Sequence, residues 1–260
     1  MTTIDTHAHV FARGLPAIAS ARYVPDYDAS LAAYLAFLDG IGALEGVLVQ
    51  PSFLGSDNSF LLAALKAAEG RLAGVAVVEE RRAPEAAEAM AAAGIRGLRY
   101  NLVGRSPEVL ASADATAMLA IAAALGWHVE LHADAPDLAA ALPFLRGFDG
   151  PIVIDHFGRP GPDDAALVTS WAADPRVHMK LSAPYRVRHP DIRGLAGRIV
   201  DAYGPERLMW GSDWPWTQHE EAAKAVSLLP GAVGLDGATI ATMEATARRL
   251  FFEWGVSLVG

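Results

Sequence analysis

Short runs of aliphatic and β-branched residues alternate along the chain with longer stretches in which apolar positions recur every three or four residues. The runs occupy residues 3–10, 46–50, 72–78, 95–100, 127–132, 151–156, 177–182 and 207–213, eight candidate strands in all. Between them, Leu31, Tyr34, Leu35 and Leu38 fall at i, i+3, i+4 and i+7, one face of a helix. Asp57-Asn58 stand before Phe60, Leu61, Leu62 and Leu65 as a capped helix start. Alanine-rich stretches at 84–93 and 113–125 are strong helix formers, each stopped by a glycine, Gly94 or Gly126, where a C′ residue belongs. A last helical pattern spans 239–254. Strand starts recur roughly every 30 residues, the size of one βα unit.

Eight such units in 260 residues predict an α/β chain folded as a (β/α)8 TIM barrel, a single domain over 1–260. A doubly wound open sheet is the competitor. It would place a glycine-rich phosphate loop after the first strand, where this chain has His7-Ala8-His9-Val10-Phe11. There is no Gly/Pro/Ser-rich linker.

Charge and composition narrow the function classes. With 21 basic and 30 acidic residues the net charge is −9, which argues against a general affinity for nucleic acid or an anionic membrane. The absence of cysteine removes disulfides, thiolate metal sites and cysteine nucleophiles. No apolar run reaches the length of a membrane span, and the first residues lack the basic and apolar regions of a signal peptide. The expectation is a cytoplasmic protein acting on a small molecule; trapping of an acidic ligand is still permitted if arginines converge. Trp171, taken as exposed, marks either an interface or helix packing, and the oligomeric state is left open.

In a barrel the reactive side chains stand at the C-terminal ends of the strands. That rule gathers His7 and His9, two residues apart and so on one side of the first strand. It adds Arg99 with Arg105 in the following loop, His132, His156, Arg186 after the seventh strand, and Asp213 at the eighth. Each alone has a structural reading: a core imidazole, a turn aspartate, a solvated arginine. Their coincidence at strand ends carries the argument. His128, His178, His189 and His219 do not share that placement.

The words Ile4-Asp5-Thr6-His7-Ala8-His9-Val10-Phe11 and Trp210-Gly211-Ser212-Asp213-Trp214-Pro215 resemble those of the amidohydrolase superfamily. Tyr23-Val24-Pro25, Val49-Gln50-Pro51-Ser52, Arg96-Gly97-Leu98-Arg99-Tyr100-Asn101 and Ile154-Asp155-His156-Phe157-Gly158-Arg159-Pro160 resemble its branch of lactone hydrolases, which includes 2-pyrone-4,6-dicarboxylate hydrolase. The resemblance implies that Asp213 activates the attacking water and that His7, His9 and His156 surround the scissile carbonyl. It implies that Arg99, Arg105 and Arg186 hold substrate carboxylates, with Tyr23 and Ser52 as further contacts. His132 departs from the pyrone hydrolase, which has a tyrosine there and works without metal. Metal-dependent relatives carry a histidine, so two chemistries stay open: a metal-free site with His132 as a substrate contact, or one Zn²⁺ or Mn²⁺ held by His7, His9, His132 and Asp213.

The leading expectation is hydrolysis of a carboxylate-bearing lactone by an Asp213-activated water. The alternative is a metal-dependent decarboxylase of an aromatic or unsaturated acid on the same fold. A related nuclease is disfavoured by the charge, and a barrel that only binds an acidic ligand would leave Asp213 without a task.

Overall fold

A computed structural model describes residues 4–224 and 230–253. Eight parallel strands lie in sequential order: β1 (Ile4–Ala8), β2 (Glu45–Val49), β3 (Leu72–Ala76), β4 (Ile95–Asn101), β5 (His128–His132), β6 (Ile152–Ile154), β7 (Val177–Ser182) and β8 (Leu208–Gly211). The helices between them are α1 (Leu31–Ile41), α2 (Ser59–Ala67), α3 (Pro84–Ala92), α4 (Ala113–Ala124), α5 (Ala135–Ala141), α6 (Ala165–Ser170), α7 (Ile192–Tyr203) and α8 (Glu220–Lys224), with α9 (Gly237–Phe251) after them. This is the expected (β/α)8 barrel, and the sequential order removes the doubly wound alternative. Among the described residues no helix is long and apolar enough to cross a membrane. The expected last helix begins two residues earlier than its pattern and ends at Phe251; residue 254 lies outside the described residues, as does residue 3 of the first run.

The barrel closes where β1 meets β8. Asp213 N donates to His7 O at 2.8 Å, and His9 N donates to Trp214 O at 2.8 Å. Asp5 fastens the seam from outside, accepting from Ser212 N at 2.7 Å, Ser212 Oγ at 2.6 Å and Tyr34 Oη of α1 at 3.1 Å.

Helix ends follow the local chemistry. Ser30 and Ser112 accept from Ala33 N and Ala115 N at the starts of α1 and α4, and Gly94 and Gly126 take positive φ just past α3 and α4. The expected cap at Asp57-Asn58 differs in detail. The Asn58 side chain makes no capping bond; it turns inward to bond Val77 N and O at 3.2 and 2.8 Å, tying the start of α2 to the exit of β3. Trp171, taken as exposed, is buried, because the helical segment carrying it packs on the apolar core.

The lumen has two halves. Ile4, Val47, Val49, Ala73, Val75, Val153 and Met209 form an apolar layer, closed by Ala247 and Phe251 of α9. Nearer the C-terminal ends of the strands the lumen is polar. A bulge in β1 makes the change: Asp5 pairs with Gly46 but Ala8 with Leu48, so three steps on β1 match two on β2. The extra residue shifts the alternation. Ile4 points into the lumen, Asp5 out toward α1, and His7 in again. Gly211 on β8 completes the fit, since a Cβ there would lie 2.7 Å from His7 Cβ.

Candidate active site

The loops after β6, β7 and β8 carry the strain expected of a built site. His156, Phe157, Arg159, Ala183 and Asp213 all have positive φ without being glycine, which costs of order 1–3 kcal/mol each. The first two residues of that group start a turn after β6, so His156 stands beyond the strand rather than at its last position.

Asp213 is the centre. Its Oδ2 accepts from Arg186 Nε and Tyr185 Oη, each at 2.6 Å. Its Oδ1 has no hydrogen-bond partner among the described residues and is ringed by three imidazoles: His7 Nε2 at 3.7 Å, His9 Nε2 at 3.8 Å and His156 Nε2 at 3.8 Å. Burial alone would raise this carboxyl; the Arg186 guanidinium holds it well below the usual carboxylate range. The imidazoles are neutral. Burial pulls His9 from 6.5 down to about 4 and His156 to about 3, with Arg99 and Arg186 adding to the effect; burial also lowers His7.

The other ring nitrogens assign the tautomers. His9 Nδ1 meets Val49 O at 2.8 Å, and a carbonyl only accepts, so Nδ1 carries the proton and Nε2 presents a lone pair. His7 Nδ1 lies 3.2 Å from both Asp155 Oδ1 and Lys180 Nζ. Lys180 has the two carboxylates Glu130 and Asp155 within reach of its donors, whereas Asp155 Oδ1 can only accept and His7 Nδ1 is the ring nitrogen that meets it, so we place the His7 proton on Nδ1 toward Asp155. His156 Nδ1 meets the Ser182 hydroxyl at 2.8 Å; a hydroxyl can donate, and in the tautomer where it does so His156 Nε2–H is free to donate into the site.

Beneath lies a buried ionic layer that sequence reading missed. Asp155 Oδ2 accepts from Arg99 Nε at 3.0 Å and Nη2 at 2.8 Å; Lys180 lies 3.5 Å from Asp155 Oδ1 and bonds Glu130, which is 3.4 Å from Arg99. Burial alone would raise the Asp155 carboxyl, but His7, Arg99 and Lys180 keep it ionised.

A cavity of about 290 Å³ opens above Asp213. Of the expected residues it is lined by His9, Tyr23, Ser52, Arg99, His132, His156, Arg186 and Asp213, while His7 lies deeper, in contact with Asp213. Arg105 is not brought there: it is exposed, pairs with Glu79, and lines an adjoining groove of about 310 Å³ whose shared wall is Arg22, Ser52, Arg99 and Asn101. Arg22, Arg159 and Arg188 join Arg99 and Arg186 in the cavity, five guanidiniums against the single carboxylate of Asp213. An acidic chain therefore holds a locally cationic site. Arg159 was within reach of sequence reasoning, since it stands three residues after His156 in the loop the motif defines. Arg22, Arg188 and Tyr185 carry no comparable local signal.

An amidohydrolase family model matches residues 4–252. The chain belongs to the amidohydrolase family. Within it, the chain is 30% identical over 234 residues to 2-pyrone-4,6-dicarboxylate hydrolase of Comamonas testosteroni, covering 82% of this chain and 76% of that protein. It is 29% identical over 232 residues to 4-sulfomuconolactone hydrolase of Rhizobium radiobacter, covering 81% and 75%. A crystal structure of a candidate 2-pyrone-4,6-dicarboxylic acid hydrolase from Pseudomonas putida superposes with TM-score 0.86 at 39% identity, covering 96% of this chain and 97% of that one.

Metal ions occur in amidohydrolase structures, one of them a Burkholderia multivorans protein with bound zinc, 26% identical to this chain with TM-score 0.74 over 96% of this chain and 99% of that one. The donors here fit such an ion. His7, His9 and Asp213 bring ligand atoms within 4.8 Å of one another, and His7 Nε2 and Asp213 Oδ1 are buried without a partner. By the tautomers above, these are three lone-pair donors close enough together to share one cation. A second grouping, His7 with Asp155 and His156, is already served by Arg99 and Lys180. His132 stands outside both groups, its Nε2 3.2 Å from Arg159 Nη1.

Proposed function

We propose that the protein hydrolyses a lactone bearing one or more carboxylates, of the 2-pyrone-4,6-dicarboxylate type. The observation that carries this reading is the open oxygen of Asp213: one carboxylate oxygen is fixed by Arg186 and Tyr185, the other is bare, ringed by imidazoles and roofed by arginines. The relatives named above act on carboxylated or sulfonated lactones by their names, which supports the same substrate class.

Water beside Asp213 Oδ1 attacks the ring carbonyl carbon. As the new C–O bond forms, that water becomes a strong acid, so even a carboxylate of low basicity takes its proton. Negative charge gathers on the carbonyl oxygen, where His156 Nε2–H donates. The ring C–O bond then breaks, and the departing oxygen takes the proton from Asp213, giving the open hydroxy or keto acid. The guanidiniums of Arg99 and Arg186 supply positive charge and planar donors for substrate carboxylates. His7, His9 and Asp213 are the residues that would hold one Zn²⁺ or Mn²⁺. Such an ion supplies Lewis-acid polarisation of the carbonyl and a lowered pKa for nearby water.

The test is a screen of carboxylated lactones with acid release followed by titration. Acid release without CO₂ is expected. CO₂ release from an aromatic or unsaturated acid, with no lactone opened, would replace this reading by decarboxylation.

A further inference from the structure

His132 and Arg159 have no task in the chemistry above, yet both line the cavity. Their surroundings fix them closely. Arg159 has φ of 45°, a left-handed conformation that a non-glycine residue adopts at a cost, and its side chain lines the cavity. Its Nη2 binds Asp134 Oδ1 at 2.9 Å, at the N-cap of α5. Its Nη1 donates to His132 Nε2 at 3.2 Å. A guanidinium has no acceptor, so the His132 lone pair is spent on Arg159, and the ring proton sits on Nδ1, facing Asp155 Oδ2 3.8 Å away.

The charge around Arg159 is unbalanced. Asp134 is shared with Arg188, whose Nη1 lies 3.2 Å from Asp134 Oδ2, so one carboxylate serves two guanidiniums on that wall. The excess cation lines the same cavity as Arg186. A guanidinium held at two points by its own protein is pre-organised for an anion, because little side-chain entropy remains to be lost on binding.

We infer that Arg159 holds an anionic substituent of the substrate remote from the scissile bond, a carboxylate or sulfonate, and that His132 is its positioning residue rather than a metal ligand. The identity of the ligand rests on the lactone-hydrolase reading; the anion subsite rests on the geometry. In a substrate of the class proposed above, the charge remote from the reacting carbonyl falls at the Arg159 wall.

Two non-hydrolysable probes test this without turnover. Isophthalate carries two carboxylates in a meta arrangement and benzoate carries one. Calorimetry on the intact protein should show tighter binding of isophthalate. Arg159→Gln should weaken isophthalate about tenfold and benzoate less than twofold. His132→Phe should move isophthalate affinity in the same direction, and His132→Gln, which keeps an acceptor toward Arg159, should recover most of it. On a dicarboxylated lactone the His132→Phe loss should appear in KM more than in kcat. Zinc affinity, measured by competition with a fluorescent chelator, should change less than twofold in His132→Phe. Equal weakening of both probes in Arg159→Gln, or a tenfold loss of zinc affinity in His132→Phe, would overturn the assignment. If isophthalate binds through Arg159 but no lactone is opened, the subsite is supported and only the hydrolase reading falls.

Discussion

Asp155→Asn keeps the shape of a fully buried side chain and removes its charge. In the native protein Asp155 and Glu130 face Arg99 and Lys180, two anions against two cations, all four side chains buried. The substitution leaves that layer with one net positive charge and presents an amide to His7 and Lys180. Removing one partner from a buried ionic group costs about 3–5 kcal/mol, because the remaining charges keep their desolvation penalty and lose their counterion. For a chain of this size each kcal/mol moves the melting temperature by roughly 2–4 °C, so a fall of about 10 °C is expected by scanning calorimetry at pH 7. His7 also loses the acceptor that sets its tautomer, and turnover should fall about 10–100-fold in the protein that remains folded. The exposed pair Arg71–Asp39, at 2.5 Å, is the control: Asp39→Asn should cost under about 1 kcal/mol. A shift below about 2 °C for Asp155→Asn would show that the layer is not the ionic structure described.

Two further outcomes follow from the site. Because burial pulls His9 down to about 4 and His156 to about 3, kcat/KM should stay level from pH 8 to pH 5 and its acid limb should lie near or below pH 4; a limb near 6.5 would mean ordinary imidazoles. The same groups bear on stability: the unfolded chain protonates its histidines at about 6.5 while the folded one does not, so stability is lost as pH falls from 6.5 toward 4, roughly 3 kcal/mol for His9 alone. Asp5, whose carboxyl burial raises to about 6, works the other way and offsets part of that loss. Dialysis against a chelator should lower lactone turnover, with zinc or manganese restoring it; full activity after verified metal removal would leave the imidazoles alone at the carbonyl.

The alternation of strand and helix was legible because each βα unit buries one sheet face under its own helix, a pattern local to about 30 residues. His7, His9 and Asp213 were legible because barrel geometry sends strand ends to one mouth. The ionic layer was not. On β5 and β7 the polar residues His128, Glu130, His132, Lys180 and Ser182 alternate with Val129, Leu131, Met179 and Leu181. Read locally, that is a strand with one wet face, whereas Glu130 and Lys180 point into a sealed lumen. A single strand cannot distinguish solvent from lumen, because the partners of Lys180 come from elsewhere in the barrel: Glu130 of β5, Asp155 just after β6 and His7 of β1. The bulge in β1 was hidden for the same reason, since register exists only between strands. Arg105 was assigned by its place in the loop after the fourth strand and by the family resemblance, and that loop carries it to Glu79 and the neighbouring groove.

Asp213→Asn bears most directly on the central claim. The amide is nearly isosteric, so affinity for isophthalate, which does not react, reports whether the arginine-lined cavity survives. Opening of a carboxylated lactone, measured on the same preparation, reports the base. The account expects probe affinity within a few-fold of the parent and turnover reduced by at least about 100-fold. Lactone opening at near-parental rate would show that Asp213 does not take the proton from water.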